Sequence, residues 1–233
     1  MRRRPAVLTH GAAVLALLLV LLVGLLATPA TAFAREYSIP RVRIYAKLQA
    51  DGTLDVTEDR TYDINGEYHG VYWDLSRDGG EGGGLAITVR SCGIVSGSDY
   101  STFKQNDSNS DGTYTVSDTA NDNGTPITRV TLCSTNEDTW VIFRIVYTVT
   151  GVATRYSDVG ELYWKFVSDG WEVPSDNVVC TVDLPVPLAE TISVGDNVRV
   201  WAHGPLSGTI TTGGDRVRAT VLRSPRASMP NFA

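Results

Sequence analysis

The sequence predicts an all-β fold, an antiparallel β-sandwich, preceded by an N-terminal signal helix. Three observations carry that expectation. From Tyr37 onward apolar residues recur with period two, and helical periodicity is hard to find. The candidate strands are short and separated by clusters of Gly, Asn, Asp and Pro, as at residues 78–84 and 106–112. Ahead of them, Arg2, Arg3 and Arg4 lead into an almost unbroken apolar run from Ala12 to Ala27.

That opening has the plan of a secretory signal, a basic stretch followed by an apolar one and then small residues. Ala32-Phe33-Ala34 fits the small-x-small cleavage rule, with Ala30-Thr31-Ala32 as a second choice. The apolar run is shorter than the ~20 residues a helix needs to cross the hydrocarbon, so cleavage after Ala34 is expected over retention as an anchor. The predicted organisation is a signal at 1–34, one exported domain at 35–223 and a short tail at 224–233. Cleavage leaves 17 Lys and Arg against 26 Asp and Glu, a net charge of −9. So acidic a chain argues against nucleic acid and anionic lipid as partners.

The first strand pair can be read in detail. Val42, Ile44, Ala46 and Leu48 alternate with Arg41, Arg43, Tyr45 and Lys47, which describes a half-buried strand. After Ala50-Asp51-Gly52, Leu54, Val56, Tyr62 and Ile64 alternate with Asp55, Thr57, Asp59, Thr61 and Asp63. A two-residue turn would set Leu48 against Asp55 and mix the faces. A three-residue loop with Gly52 left-handed sets Leu48 against Leu54 and Ala46 against Val56. It also sets Lys47 against Asp55 and Arg43 against Asp59 on the solvent face. Glu58 and Arg60 have the phase of the apolar residues. They read as an inward ion pair near the sheet edge or as residues turned out by a bulge, with a functional site as the sharper alternative.

Further strands are expected at 85–92, 112–117, 128–133, 140–150, 161–166, 177–184, 197–202 and 216–222, with 140–150 central because one of its faces is wholly apolar. Phase also sorts the three cysteines, which lie in a compartment where disulfides persist. Cys92 keeps step with Thr88 and Arg90, and Cys133 with Arg129 and Thr131, whereas Cys180 keeps step with Val178, Val182 and Leu184. A Cys92–Cys133 bridge is therefore expected, worth about 4 kcal/mol on the chain-entropy model, with Cys180 buried and reduced.

Several motifs resemble a bacterial family of predicted membrane proteins, DUF2207. They are Asp51-Gly52-Thr53-Leu54-Asp55-Val56-Thr57-Glu58, then Gly66-Glu67-Tyr68-His69-Gly70-Val71-Tyr72-Trp73, and the longer block from Tyr156 through Tyr163-Trp164-Lys165-Phe166 to Gly170-Trp171-Glu172-Val173-Pro174. His203-Gly204-Pro205-Leu206 is similar to the family as well. The resemblance spans roughly residues 37–222 and implies an extracytoplasmic β domain of a membrane protein. It supplies neither a reaction nor a ligand. Family members usually continue into transmembrane helices, and this sequence instead stops at Ala233.

Four chemistries can be weighed from the residues. Asp107, Asn109, Asp111 and Gly112 spell D-x-N-x-D-G with Asp118 at the twelfth position, close to a calcium loop. Position twelve lacks the bidentate Glu, and the same residues make an ordinary polar turn. Glycosidase-like acid pairs exist at Asp158 with Glu161 and Asp169 with Glu172, though 26 acids make such neighbours inevitable. Nucleophilic catalysis has only His69 and His203 as bases beyond the signal and no G-x-S-x-G elbow. No C-x-x-C or H-x-x-x-H spacing marks a zinc site. Aromatic residues are the remaining signal. Trp164 shares its phase with Leu162 and Phe166 and reads as core, while Tyr163 and Trp171, with Asp158 and Glu161, are the candidate ligand-binding set.

The expectation is a non-enzymatic, exported module of the cell envelope that recognises another envelope protein or itself, with no required cofactor. Polysaccharide binding, assisted by calcium, is the first alternative. An acid-pair hydrolase is the second.

Overall fold

The computed structural model describes residues 36–79, 85–167, 173–185, 195–201, 208–213, 216–223 and 231–232. The signal at 1–34, nearly all of the tail at 224–233, Asp169, Trp171, Glu172 and His203 lie outside the described residues. Arg35–Ala233 is a compact unit, and every residue of the described core lies within it.

The described residues form strands and no helix. In chain order they are β1 (Glu36–Leu48), β2 (Leu54–Asn65), β3 (Glu67–Ser76), β4 (Ala86–Ser96), β5 (Asp99–Thr102) and β6 (Lys104–Gln105). Then come β7 (Thr113–Ala120), β8 (Pro126–Glu137), β9 (Trp140–Thr150), β10 (Ala153–Arg155) and β11 (Gly160–Leu162). The last are β12 (Trp164–Lys165), β13 (Asp176–Asp183), β14 (Thr209–Gly213), β15 (Arg216–Arg223) and β16 (Asn231–Phe232). An eight-stranded sheet runs β14-β15-β13-β1-β2-β9-β4-β5 and a four-stranded sheet runs β3-β8-β7-β6, with two small pairs beside them. The sheets are mixed, which corrects the antiparallel expectation. β1 pairs in parallel with β13, and β6 with β7.

Alternation decides which residues become core. β1 turns Val42, Ile44 and Ala46 inward and Arg41, Arg43, Tyr45 and Lys47 outward. The β1–β2 register sets Leu48 opposite Leu54, Lys47 opposite Asp55 and Arg43 opposite Asp59, as the facing argument requires. Gln49 donates its N–H to the Thr53 carbonyl at 2.8 Å, closing a loop of Ala50, Asp51 and Gly52. Gly52 stands at φ +85°, the left-handed conformation a side chain disfavours. β9 lies between β2 and β4, and buries Val141, Phe143, Ile145, Tyr147 and Val149.

Two of the expected strands differ. The stretch at 161–166 is split into β11 and β12 at Tyr163, whose N–H donates to the Val152 carbonyl at 3.2 Å. No strand occupies 197–201. A turn there is closed by Gly195 N–H on the Val198 carbonyl at 2.8 Å. β3 was not anticipated, because Gly66, His69 and Gly70 interrupt its alternation. Its ladder with β8 slips between Tyr68 and Gly70, where a Cβ on Gly70 would stand 2.2 Å from the Leu132 carbonyl oxygen. Only glycine allows that approach.

The expected Cys92–Cys133 bridge is not made, and all three cysteines are free thiols. The cause is one extra residue. β4 pairs with β9 through a register shift between Val89 and Ser91, so Arg90 bulges out and every later residue changes face. Cys92 is thereby turned into the core. Cys133 stays on the outer phase of β8, between buried Leu132 and Ser134. The two thiols sit on opposite sides of the four-stranded layer.

Candidate functional site

The most concentrated group of polar chemistry is inside the protein. Alternation along β2 puts Val56, Glu58, Arg60, Tyr62 and Ile64 on the core face. Glu58 is 0% and Arg60 1% exposed. Glu58 Oε1 accepts a charge-assisted hydrogen bond from Arg60 Nε and a second from the Trp73 indole N–H at 3.0 Å. The Arg60 guanidinium also lies 5.8 Å from the centre of the Trp73 ring, within the range of cation–π attraction. Since Trp73 comes from the four-stranded sheet and Glu58 from the eight-stranded one, this bond ties the two sheets together. Tyr62 packs edge-on against Trp73 at 6.1 Å and Phe143 at 5.7 Å.

Register explains what Glu58 does to its neighbours. Cys180, Ile44, Glu58, Ile145 and Cys92 lie in one row across five adjacent strands. Burial first, and then the Glu58 charge, pushes the Cys180 thiol well up. Burial alone pushes the Cys92 thiol up to about 12. Tyr147 is raised well above the usual phenol, again by burial first and the Glu58 charge second, with the Trp164 N–H pulling the other way. These thiols stay protonated at physiological pH and are poor nucleophiles. Glu58 Oε2 and the Tyr62 hydroxyl have no hydrogen-bond partner among the described residues. The pair is thus the inward ion pair the sequence suggested. It stands mid-sheet between β1 and β9 rather than near an edge, and the β1–β2 register runs unbroken through both residues.

The ligand-binding candidates fall on a projecting hairpin. β10 and β11 pair Ala153 with Leu162 and Arg155 with Gly160, rooted by buried Val152. Tyr156 N–H donates to the Val159 carbonyl at 2.8 Å and closes the tip. Tyr156 is 44% and Val159 57% exposed there. Asp158 and Glu161 are exposed on the same hairpin, and Tyr163 is half-buried at its base. The structure brings Asp158, Glu161 and Tyr163 onto one small element, with both acids in open water. The exposed tip pair was not singled out from the sequence, because residues 154–161 are exposed on both phases and alternation carries no signal there.

The calcium candidates do not converge. Asp107 and Asn109 are exposed. Asp111 Oδ1 accepts from the Thr135 N–H and hydroxyl, each at 3.0 Å. Asp118 accepts from the Thr128 hydroxyl at 2.7 Å and from Arg77 at 2.9 Å. Thr128 and Thr135 are seven residues apart on β8, so the two carboxylates are held roughly 23 Å apart along the strand. Among the described residues no group of three or more His, Cys, Asp or Glu is placed to hold a metal ion.

On the outer faces, Asp59 and Asp55 take partners other than those expected. Asp59 is held by Arg144 of β9 through two bonds of 2.6 and 2.7 Å, not by Arg43. Asp55 accepts from Gln49 at 2.7 Å and Thr148 at 3.0 Å, not from Lys47. Asp74 and Arg129 form a second two-bond pair, both at 2.7 Å, with the guanidinium over the Tyr72 ring at 4.8 Å. Asp183 accepts from Tyr45 and Arg216. Chiefly through Arg216, its carboxyl is held below the ordinary carboxylate range.

The described residues define an all-β domain of two main sheets joined through a buried polar cluster. The chain belongs to the DUF2207 family: the model of that family, described as the N-terminal domain of a predicted membrane protein, matches residues 38–225. No curated protein matches the chain in sequence. Among solved structures it is similar to a putative protease from Parabacteroides distasonis, at 12% identity and a TM-score of 0.44, covering 84% of this chain and 39% of that one. It is also similar to the leukotriene A4 hydrolase of Saccharomyces cerevisiae, at 9% identity and a TM-score of 0.47, covering 85% of this chain and 29% of that one. An M1 zinc metallopeptidase from Deinococcus radiodurans is similar at 14% identity with a TM-score of 0.43, covering 84% and 41%. This chain spans well under half the length of these proteins. Among the described residues no helix is long and apolar enough to cross a membrane.

Proposed function

We propose that this chain is an exported β-sandwich of the cell envelope, its signal cleaved after Ala34, and that it works as a non-enzymatic module docking on another envelope protein or on a second copy of itself. The observation that carries the reading is the β10–β11 hairpin, which leaves Tyr156 and Val159 exposed at the start of the long block that resembles the family. An exposed aromatic and a β-branched residue on a short, well-anchored turn are the kind of anchor that fills a pocket on a partner. Trp140, 65% exposed at the start of β9, favours a second reading, in which such rings stack on an envelope polysaccharide.

One experiment separates the two. The chain from Arg35 is crosslinked in the envelope fraction of its own organism and the captured material is read by mass spectrometry and glycan analysis. One protein at near-stoichiometric yield is expected, falling at least tenfold for Tyr156→Ser/Val159→Ser, as loss of a hot spot would cause. Capture of glycan alone, or protein capture indifferent to that substitution, overturns the docking role of the hairpin.

A further inference from the structure

Net charge describes a whole chain, and here it conceals a local reversal. The strands β1 and β15 lie on either side of β13, and register places their outward residues side by side. Tyr45 is opposite Thr181, and Thr181 is opposite Arg218. Along β1 the outward residues are Arg41, Arg43, Tyr45 and Lys47, all exposed. They form a row about 20 Å long at the usual rise per residue, with Arg218 about 10 Å to one side.

Acids share this face, yet the nearest are already engaged. Asp59 is clamped by Arg144 and Asp183 by Arg216. Asp55 takes the neutral donors Gln49 and Thr148. Arg41, Arg43, Lys47 and Arg218 form no ion pair among the described residues. Lys47 stands opposite Asp55 and helps hold the Asp183 carboxyl down, and the row as a whole keeps a net positive charge. Much of the exposed acidity lies on other elements, at Asp99, Asp107, Asp122, Asp158 and Glu161. The domain is therefore polarised despite its net negative charge.

We infer that the outer face of β1 and β15 is a docking surface for an anionic phospholipid bilayer, with Arg41, Arg43, Lys47 and Arg218 meeting lipid phosphates. A polarised domain turns its cations toward a negative surface and its acids away. The surface potential falls off within about a Debye length, some 8–10 Å, so distant acids cost little. Tyr45, exposed in the middle of the row, has an apolar ring and a polar tip, which suits the headgroup level. The family's description as a membrane protein puts such a bilayer within reach. This surface uses other residues than the hairpin and does not depend on its role.

The test is sedimentation of the chain from Arg35 with vesicles of phosphatidylcholine alone or mixed with phosphatidylglycerol, at low and high salt. Binding to the mixed vesicles is expected at low salt only. Each neutralised cation weakens it about fivefold, so Arg43→Gln/Lys47→Gln lowers it about 25-fold. Lys104→Gln/Arg199→Gln removes the same net charge from exposed sites elsewhere and leaves binding within about twofold by the same distance argument. Equal losses for the two double variants, or equal binding to neutral vesicles, overturn the proposal. So does a loss of envelope-protein capture with Arg43→Gln/Lys47→Gln while vesicle binding is unchanged, which would assign the face to a protein partner. All variants are surface changes, and an unaltered unfolding midpoint verifies that each is folded.

Discussion

Glu58 and Arg60 face each other two residues apart on the same strand, and each needs the other. Removing one partner of a buried pair leaves the other's charge out of water and poorly compensated, at a cost of about 3–5 kcal/mol. Glu58→Ala should therefore destabilise the domain by that amount, and Arg60→Ala by a similar amount. Glu58→Met/Arg60→Met, which removes both charges and keeps volume, should cost less than either single change, since replacing a buried pair by apolar residues is often neutral. Urea unfolding at neutral pH measures all three. A double variant as unstable as the two singles added together would show that the residues act independently, against the geometry of the Arg60 Nε to Glu58 Oε1 bond. The inward phase of the pair was legible in the alternation around it. Its indole partner was not, because Trp73 belongs to the other sheet and no local spacing connects it to Glu58.

Single elements show where period-two reading holds and where it fails. It holds for the β1–β2 hairpin, since a slip of one residue would turn every apolar side chain outward and the loop length follows from that. It fails at β4, because Arg90 and Ser91 are both polar and the extra residue at Arg90 leaves no trace in the pattern. It also fails at β3, where glycines that permit close strand approach look like turn residues. The β4 bulge has a chemical consequence that can be counted. In the native protein a thiol reagent should label Cys133 alone, because Cys92 and Cys180 are buried and both thiols are pushed up by burial. In denaturant without reductant, three adducts per chain should appear by mass. A single adduct in denaturant would mean that two cysteines are bridged, and the bulge would then be misplaced.

At the scale of the whole molecule the decisive contact is the parallel pairing of β1 with β13, and it was the least legible feature. Alternation identifies both strands but says nothing about which strand finds which. The partners Tyr45 and Asp183 stand 138 residues apart. Closure of so long a loop is repaid only by the complete sheet, so this pairing comes with the entropy cost of non-local topology. The segment beyond Thr150 supplies β13, which pairs with β1, and β15, which pairs with β13 in turn, together with the buried Trp164, Phe166, Val178, Cys180 and Val182. A chain from Arg35 that ends at Thr150 would leave β1 as a long open edge, with its ladder groups unpaired and the inner face at Val42, Ile44 and Ala46 partly bare. Such an edge is a template for pairing with another chain. Size-exclusion chromatography should find this truncation in oligomers or aggregates that bind an apolar dye and unfold without cooperativity. A cooperative monomer would mean that the hairpin, β4 and β9 carry the fold alone, and that the C-terminal strands are an attachment to the domain rather than part of its core.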